Sequence, residues 1–128
     1  MPDLPKPGQI LWQDLTVPDS GSIREFYAKV VGWSSTEHNM GDYSDFNMIS
    51  SEGKTVAGIC HARGDNADVP PAWLIYIIVE DVDASAELCR SSGGKLLAGP
   101  RNMGGGRFAV IQDPAGAKCA LYAPARQP

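Results

Sequence analysis

The sequence predicts an α+β fold built from two similar halves, each running in the order strand, helix and three further strands. Three observations lead to this prediction. Residues 73–79 (WLIYIIV) form a continuous apolar run that is typical of a buried central strand. Residues 107–122 contain two apolar runs joined by the turn sequence DPAG, which predicts a hairpin. The third observation is an internal repeat.

The repeat has a constant offset of 62 positions. At this offset Asp19 coincides with Asp81 (81 − 19) and Gly32 with Gly94 (94 − 32). The same offset relates Val17 to Val79, Phe46 to Phe108 and Ile49 to Ile111. A single match means little, and chance matches in an ordinary α+β protein are the alternative explanation. One offset along a whole module favours a duplicated βαβββ unit.

In the first half, a helix is predicted at 20–31. Asp19 or Ser20 can cap this helix, and Gly32 can end it. Its apolar residues recur at helical spacing, at Ile23, Phe26, Tyr27 and Val30. The strands of this half are predicted at 10–17, 33–38, 43–50 and 55–61.

The second half follows residues 62–71 (ARGDNADVPP), which are rich in turn-forming residues and are predicted to be a linker. A helix predicted at 83–92 ends at Gly93-Gly94, and residues 99–105 are predicted to be a loop. The strands of this half are predicted at 73–79, 95–98, 108–111 and 119–122. We divide the chain into a flexible arm (1–8), a single domain (9–123, with module one at 9–61 and module two at 72–123) and a tail (124–128).

Composition and charge narrow the classes of function. The 128 residues suffice for one domain with a substantial core, and the net charge of −4 disfavours a nucleic-acid partner. No stretch reaches the roughly 20 apolar residues of a membrane span, and the proline-rich start is unlike a signal peptide. The three cysteines lack metal-type pairing and are interpreted as reduced thiols, which predicts a cytoplasmic location.

Several motifs together resemble the vicinal oxygen chelate superfamily, which includes glyoxalase I, bleomycin resistance proteins, methylmalonyl-CoA epimerase and extradiol dioxygenases. They are a strand ending before Asp19, a helix with Phe26-Tyr27 that leads into Val31-Gly32-Trp33, the sequence VEDVD at 79–83, and DPAG at 113–116. The resemblance covers residues 9–123. It implies an α+β fold of two tandem βαβββ modules that form a curved mixed sheet around a cavity.

The resemblance also implies where a metal enzyme of this superfamily holds its ligands, namely on the first and last strands of each module. The corresponding positions here are Trp12, Gly58, Leu74 and Ala120. None of these residues can bind a cation through its side chain, whereas the family uses His, Glu or Gln. The adjacent Gln13 points to the opposite face of its strand. We therefore expect no metal and no cofactor.

The parity of these positions predicts which side chains line the cavity. The predicted ligand-binding residues are Trp12, Asp14, Phe46, Cys60, Leu74, Tyr76, Met103, Arg107 and Tyr122. Aromatic and apolar groups with a few polar ones are typical of small-molecule pockets, and filling of the core is the alternative. Asp14 is the one catalytic candidate, as a carboxylate among aromatic groups, and a structural hydrogen-bonding role is its alternative.

These observations predict a metal-independent, glyoxalase/bleomycin-resistance-like protein that binds a small, partly apolar molecule in the sheet cavity. Two alternatives stay open: a divalent-metal-dependent lyase, isomerase or dioxygenase of the glyoxalase type, and a sequestering resistance protein without turnover. Whether the chain is an enzyme is left open. The resemblance also implies a homodimer, which Trp33 on a predicted edge strand supports weakly.

Elemental analysis tests the prediction that the protein is metal-free. After purification and dialysis, Zn, Ni, Mn and Fe should each lie far below one equivalent per chain, because the family ligand positions lack donor side chains. A stoichiometric metal that is lost when pocket residues such as Asp14 are mutated would contradict this prediction.

Overall fold

The structure, a computed structural model, describes residues 5–125. Within this range the strands and helices follow the predicted order. They are β1 (Ile10–Val17), α1 (Ser20–Val31), β2 (Ser34–Asn39), β3 (Ser44–Ile49), β4 (Thr55–His61), β5 (Trp73–Ile78), α2 (Val82–Ser91), β6 (Lys95–Met103), β7 (Gly106–Gln112) and β8 (Lys118–Ala123). The predicted α+β fold of two βαβββ modules is therefore confirmed. Neither helix of the described range is long and apolar enough to span a membrane.

The predicted chain ends are described only in part. Residues 1–4 of the predicted arm and 126–128 of the predicted tail lie outside the described residues. The chain divides into two compact units, which we treat separately. One unit, residues 12–73, contains most of predicted module one (9–61), and the other, residues 74–125 together with 5–11, contains most of predicted module two (72–123). From here on, the first module and the second module denote these two units.

The strands of the first module lie in the order β2, β3, β4, β1. β1 runs parallel to β4, with Leu15 opposite Ile59, whereas the other neighbouring strands are antiparallel. One face of these strands packs against α1. Its buried core consists of Phe46, Met48, Ala57 and Ile59.

α1 is fastened to the sheet at its N-terminus. Ser20 is buried, and its Oγ lies 2.8 Å from Nδ1 of His61 at the end of β4. Asp19 occupies the N-cap position, where its carboxylate accepts a hydrogen bond from the Ser22 hydroxyl at 2.6 Å. Gly32 ends the helix in a left-handed conformation (φ 85°), as predicted, because glycine has no Cβ to oppose it.

The predicted apolar stripe of α1 is only half covered. Ile23 and Tyr27 pack against the core of the first module. Phe26 and Val30, which belong to the same stripe, are 52% and 65% exposed. The Phe26 ring contacts the edge of the neighbouring Tyr27 ring, with centroids 5.1 Å apart. Two of the four residues of the predicted stripe are thus largely exposed.

The strands of the second module lie in the order β5, β8, β7, β6. β5 runs parallel to β8, the other neighbours are antiparallel, and α2 packs on one face. Asp81 caps α2 by accepting a hydrogen bond from the Ala84 N–H at 3.1 Å. The described part of the N-terminal arm joins this module, since the Gly8 N–H donates to the Ile78 carbonyl at 2.7 Å.

The predicted loop at 99–105 is wrong, because β6 continues through it to Met103. Register shifts on either side of Ala98 accommodate Gly99-Pro100, which an edge strand tolerates because its outer groups have no ladder partner. Only Gly104-Gly105 turn the chain, with positive φ angles of 57° and 84°. Two successive residues with positive φ suit a tight hairpin turn.

Gly106, at the start of β7, is packed too closely to leave room for a side chain. Its substitution therefore tests the packing at this position. A Cβ atom there would lie 2.4 Å from Tyr122 Oη and 2.5 Å from the Ala123 carbonyl oxygen. We expect Gly106→Ala to lower the free energy of unfolding by about 1–3 kcal/mol, measured by urea denaturation. Gly21→Ala is the matched control: nothing lies within 4 Å of its added methyl group. It should raise stability by roughly 0.5–1 kcal/mol through helix propensity. Equal effects would contradict the packing argument.

Candidate functional site

Side chains along the strands of the first module alternate between the two faces of the sheet, and this alternation places apolar side chains on one face and polar ones on the other. Leu15, opposite Ile59, lies on the side of α1, and alternate residues point the other way. In β1 and β4, Asp14 lies opposite Gly58 and Thr16 opposite Cys60. We call the side that points away from α1 the polar face. It is formed by Trp12, Asp14, Thr16, Asp45, Gly58 and Cys60.

Gly58 is the meeting point of three predicted site residues. A Cβ atom built there would lie 3.2 Å from Asp14 Cβ, 3.6 Å from Trp12 Cζ2 and 3.7 Å from Cys60 Sγ. Because glycine has no side chain, the indole ring can lie close to the β4 backbone. The structure therefore brings into contact positions 12 and 58, which the resemblance implied for metal ligands, and they hold an indole and a glycine.

The polar face holds two carboxylates that are nearly inaccessible to water. Asp14 and Asp45 are 5% and 9% exposed, and Asp45 accepts a hydrogen bond from the His61 backbone N–H at 2.8 Å. Cys60 forms side-chain hydrogen bonds with Thr16 and Asp45. Burial, followed by the charges of Asp14 and Asp45, raises the pKa of the Cys60 thiol far above its ordinary value. The thiol is therefore protonated at neutral pH and is not activated as a nucleophile.

Thr16 shares the face of Asp14, as the alternation of β1 predicts from their spacing of two positions. Asp45 is absent from the predicted site residues. Asp45 lies on the polar face only because of the way β3 pairs with β4, and this pairing cannot be read from the sequence.

Phe46 is placed on the opposite side of the sheet from the polar face. It lies in the core beneath α1, where the Arg24 guanidinium carbon is 4.7 Å from its ring centroid. A comparison with its repeat counterpart, Phe108, explains why Phe46 does not lie on the polar face. Phe46 lies opposite Ile59, whereas Phe108 lies opposite Tyr122, the repeat counterpart of Cys60. The two modules thus differ in register by one residue here, which reverses the face.

Four further predicted site residues, Leu74, Tyr76, Met103 and Tyr122, are buried or engaged within the second module. Leu74 is fully buried, and Tyr76, 7% exposed, stacks on Phe108 with ring centroids 6.0 Å apart. The Tyr122 hydroxyl donates to the Met103 carbonyl at 3.3 Å. These contacts give the side chains a packing role in their own module. Their role in ligand binding stays a prediction.

Arg107 lies on the α2 side of the second module and is already paired. Its Nε and Nη2 donate to the Asp83 carboxylate at 2.8 and 2.9 Å, and Nη1 donates to Asn102 at 3.2 Å. The hydrogen bond from Arg107 holds the pKa of Asp83 below its ordinary value. A cavity of about 300 Å³ lies beside this pair and is also lined by Glu80 and Asp81. An anionic ligand would have to displace Asp83 to reach the guanidinium.

The side chains brought together do not fit a divalent ion. Within residues 5–125, no group of three or more His, Cys, Asp or Glu side chains is placed to hold one. Gln13 lies on the α1 side of β1 and donates to the Val56 carbonyl. His61 is likewise engaged with Ser20 beneath α1. The polar face instead carries the indole ring of Trp12 with buried polar groups beside it.

Two relatives share about a third of their aligned residues with this chain. The chain is 32% identical over 129 aligned positions to the anthracycline biosynthesis protein DnrV of Streptomyces peucetius, which covers 91% of the chain and 47% of that protein. It is also 32% identical over 114 positions to the putative glyoxylase CFP32 of Mycobacterium tuberculosis, with coverages of 87% and 44%. The chain thus spans about half the length of these relatives.

Solved structures share the fold at lower sequence identity. The methylmalonyl-CoA epimerase of Mycobacterium tuberculosis superposes with a TM-score of 0.53 at 18% identity, covering 93% of this chain and 89% of that one. The Streptomyces coelicolor epimerase in complex with 2-nitronate-propionyl-CoA gives a TM-score of 0.55 at 18% identity, with coverages of 94% and 100%. At this identity the likeness concerns the fold alone.

The family comparison covers nearly the whole chain. The model of one superfamily matches residues 8–121, which includes every strand and helix of both modules except the last residues of β8. Together with the duplicated βαβββ architecture, this match shows that the chain belongs to the Glyoxalase/Bleomycin resistance protein/Dioxygenase superfamily.

Proposed function

We propose that this protein binds a small, partly apolar molecule on the polar face of the first module, without a metal ion. The observation that carries the proposal is the contact between Trp12 and Gly58. At positions where the family's metal enzymes place ligands, this chain has a flat aromatic ring on a residue without a side chain. Such a ring provides stacking area at low cost in conformational entropy.

The groups around Trp12 support binding rather than nucleophilic catalysis. Cys60 is protonated because of its burial and the nearby carboxylates, so it contributes as a neutral, polarisable group. Asp14 and Asp45 are buried on the face that carries Trp12, and their carboxylates would accept a hydrogen bond only from a donor group that reaches into this face. A ligand with one flat apolar part and one hydrogen-bond donor would match this arrangement.

The relatives suggest which ligand to try first. DnrV is by name an anthracycline biosynthesis protein, and anthracyclines combine a planar fused-ring system with hydroxyl donors. We propose this class of flat, polycyclic aromatic molecule as the ligand. CFP32 is by name a putative glyoxylase, so a divalent-metal-dependent reaction of the glyoxalase type, as a lyase, isomerase or dioxygenase, is the alternative activity.

Turnover distinguishes an enzyme from a sequestering protein. Asp14 would be the general base of an enzymatic reaction, since it is a buried carboxylate next to the proposed stacking surface. Mass spectrometry that follows the amount of bound ligand over time separates the two cases. If the ligand is consumed by the unaltered protein but not by the Asp14→Asn variant, the protein is an enzyme. If the amount of ligand stays constant, the protein sequesters it.

We further propose that the chain acts as a cytoplasmic homodimer.

Trp12→Ala tests the proposed stacking surface. We expect the affinity for an anthracycline, followed by its fluorescence, to fall by about 5–100-fold, equivalent to roughly 1–3 kcal/mol. Trp12→Phe keeps an aromatic ring and should retain most of the affinity. If the indole only fills the core, Trp12→Ala should instead lower the free energy of unfolding by about 3–5 kcal/mol. Unchanged affinity of the folded variant would contradict the proposal, and no binding by the unaltered chain would contradict the ligand class.

Alkylation tests the protonated state of Cys60. In the folded protein at pH 8, iodoacetamide should modify Cys60 more slowly than Cys89 and Cys119, as followed by peptide mass spectrometry, because only the thiolate reacts. Asp45→Asn removes one of the charges that raise the Cys60 pKa and should speed its modification. Unfolded protein provides the control, in which all three rates should become similar. Fast modification of native Cys60 would overturn the assignment of a neutral thiol.

A further inference from the structure

The outer edge of α1 carries apolar residues that the first module does not cover. Phe26 and Val30 are 52% and 65% exposed and lie four residues apart, so their side chains are neighbours on one face of the helix. Both belong to the stripe that otherwise faces the core through Ile23 and Tyr27. Apolar surface continuous with a core stripe is typical of an interaction site.

The charges beside this pair have an order that suits self-association. Glu25 precedes Phe26 and Lys29 precedes Val30, so each charge lies about 100° around the helix from its apolar neighbour, on the same flank. Both residues are exposed. Glu25 has Arg24 at 3.8 Å, an exposed pair that is worth little and can rearrange.

A second copy of the chain matches both features. When two identical helices pack antiparallel about a two-fold axis, each flank meets the same flank of the other helix in reverse order. Phe26 of one copy then lies beside Val30 of the other, and Glu25 lies beside Lys29. The flank has no net charge, so the overall charge of −4 on each chain is not concentrated at the contact. A different partner whose flanking side chains all carried the same sign of charge would place a like charge beside either Glu25 or Lys29.

We propose that the protein dimerises through α1, with the two helices antiparallel and Phe26, Val30, Glu25 and Lys29 at the contact. This assignment goes beyond the proposed ligand site, because these residues lie on the helix side of the first module and the polar face lies on the other side. It also differs from the edge-strand contact through Trp33 that the sequence suggested.

Removing the apolar pair tests whether α1 forms the contact. Sedimentation velocity of the full 128-residue chain from low to high micromolar concentration should show a monomer–dimer equilibrium. The double variant Phe26→Ser with Val30→Ser should weaken it by about tenfold or more, because both residues are central to the proposed contact. The matched control is Leu88→Ser on α2, which changes a residue that is also 65% exposed and should leave the equilibrium unchanged. Circular dichroism establishes that each variant is folded.

Charge reversal tests the antiparallel arrangement. Glu25→Lys places lysines at both flanking positions, and Lys29→Glu places glutamates at both, so each variant alone should dimerise about tenfold more weakly. An equimolar mixture of the two variants should associate again, because every flanking pair then has opposite charges. A monomeric unaltered chain, a dimer that survives the double serine change, an equal loss with Leu88→Ser, or a mixture that fails to associate would overturn the proposal. The inference rests on the proposed homodimer, but none of these readouts depends on the ligand, so the proposed ligand binding can fail or hold independently.

Discussion

The parallel pairing of β1 with β4 is the constraint on which the rest of the first module depends. It sets Leu15 beside Ile59 on the side of α1 and Asp14 beside Gly58 on the other side. A shift by one residue would place the carboxylate under the helix and turn the leucine away from it. The hydrogen bond between Ser20 and His61 holds the start of α1 at the end of β4. The position of the helix therefore depends on the same strand register.

Once this register is set, the chemistry of the polar face follows from burial. Burial of the Cys60 thiol, followed by the charges of the buried Asp14 and Asp45, raises the pKa of this group and keeps it neutral. The same strands bring Trp12 against Gly58, so an indole ring lies at the positions that the resemblance implied for metal ligands. Binding by stacking and hydrogen bonding is the chemistry that such a surface can perform.

The two modules share an order of elements but have diverged in what they present. At the repeat offset Asp14 corresponds to Tyr76, and Cys60 corresponds to Tyr122. The second module fills its helix-free face with packed aromatic rings, whereas the first module keeps polar groups there. The helices differ as well: α1 has a single buried residue, Ser20, whereas α2 buries Val82 and Ala86. The two modules therefore share their architecture and differ in the side chains that they present.

Local patterns in the sequence determined the class of fold, the order of its elements and most of their bounds. β1, α1 and β4 coincide with their predicted ranges, because alternation, helical periodicity and capping residues act over a few neighbouring positions. Alternation also gave the shared face of Trp12, Asp14 and Cys60. Only the tertiary structure decided the register between strands that are distant in sequence. That register brought in Asp45, sent Phe46 to the core through a one-residue difference between the modules, and paired Arg107 with Asp83. It also left Phe26 exposed, because helical periodicity states which residues share a face but not how much of that face the neighbouring strands cover.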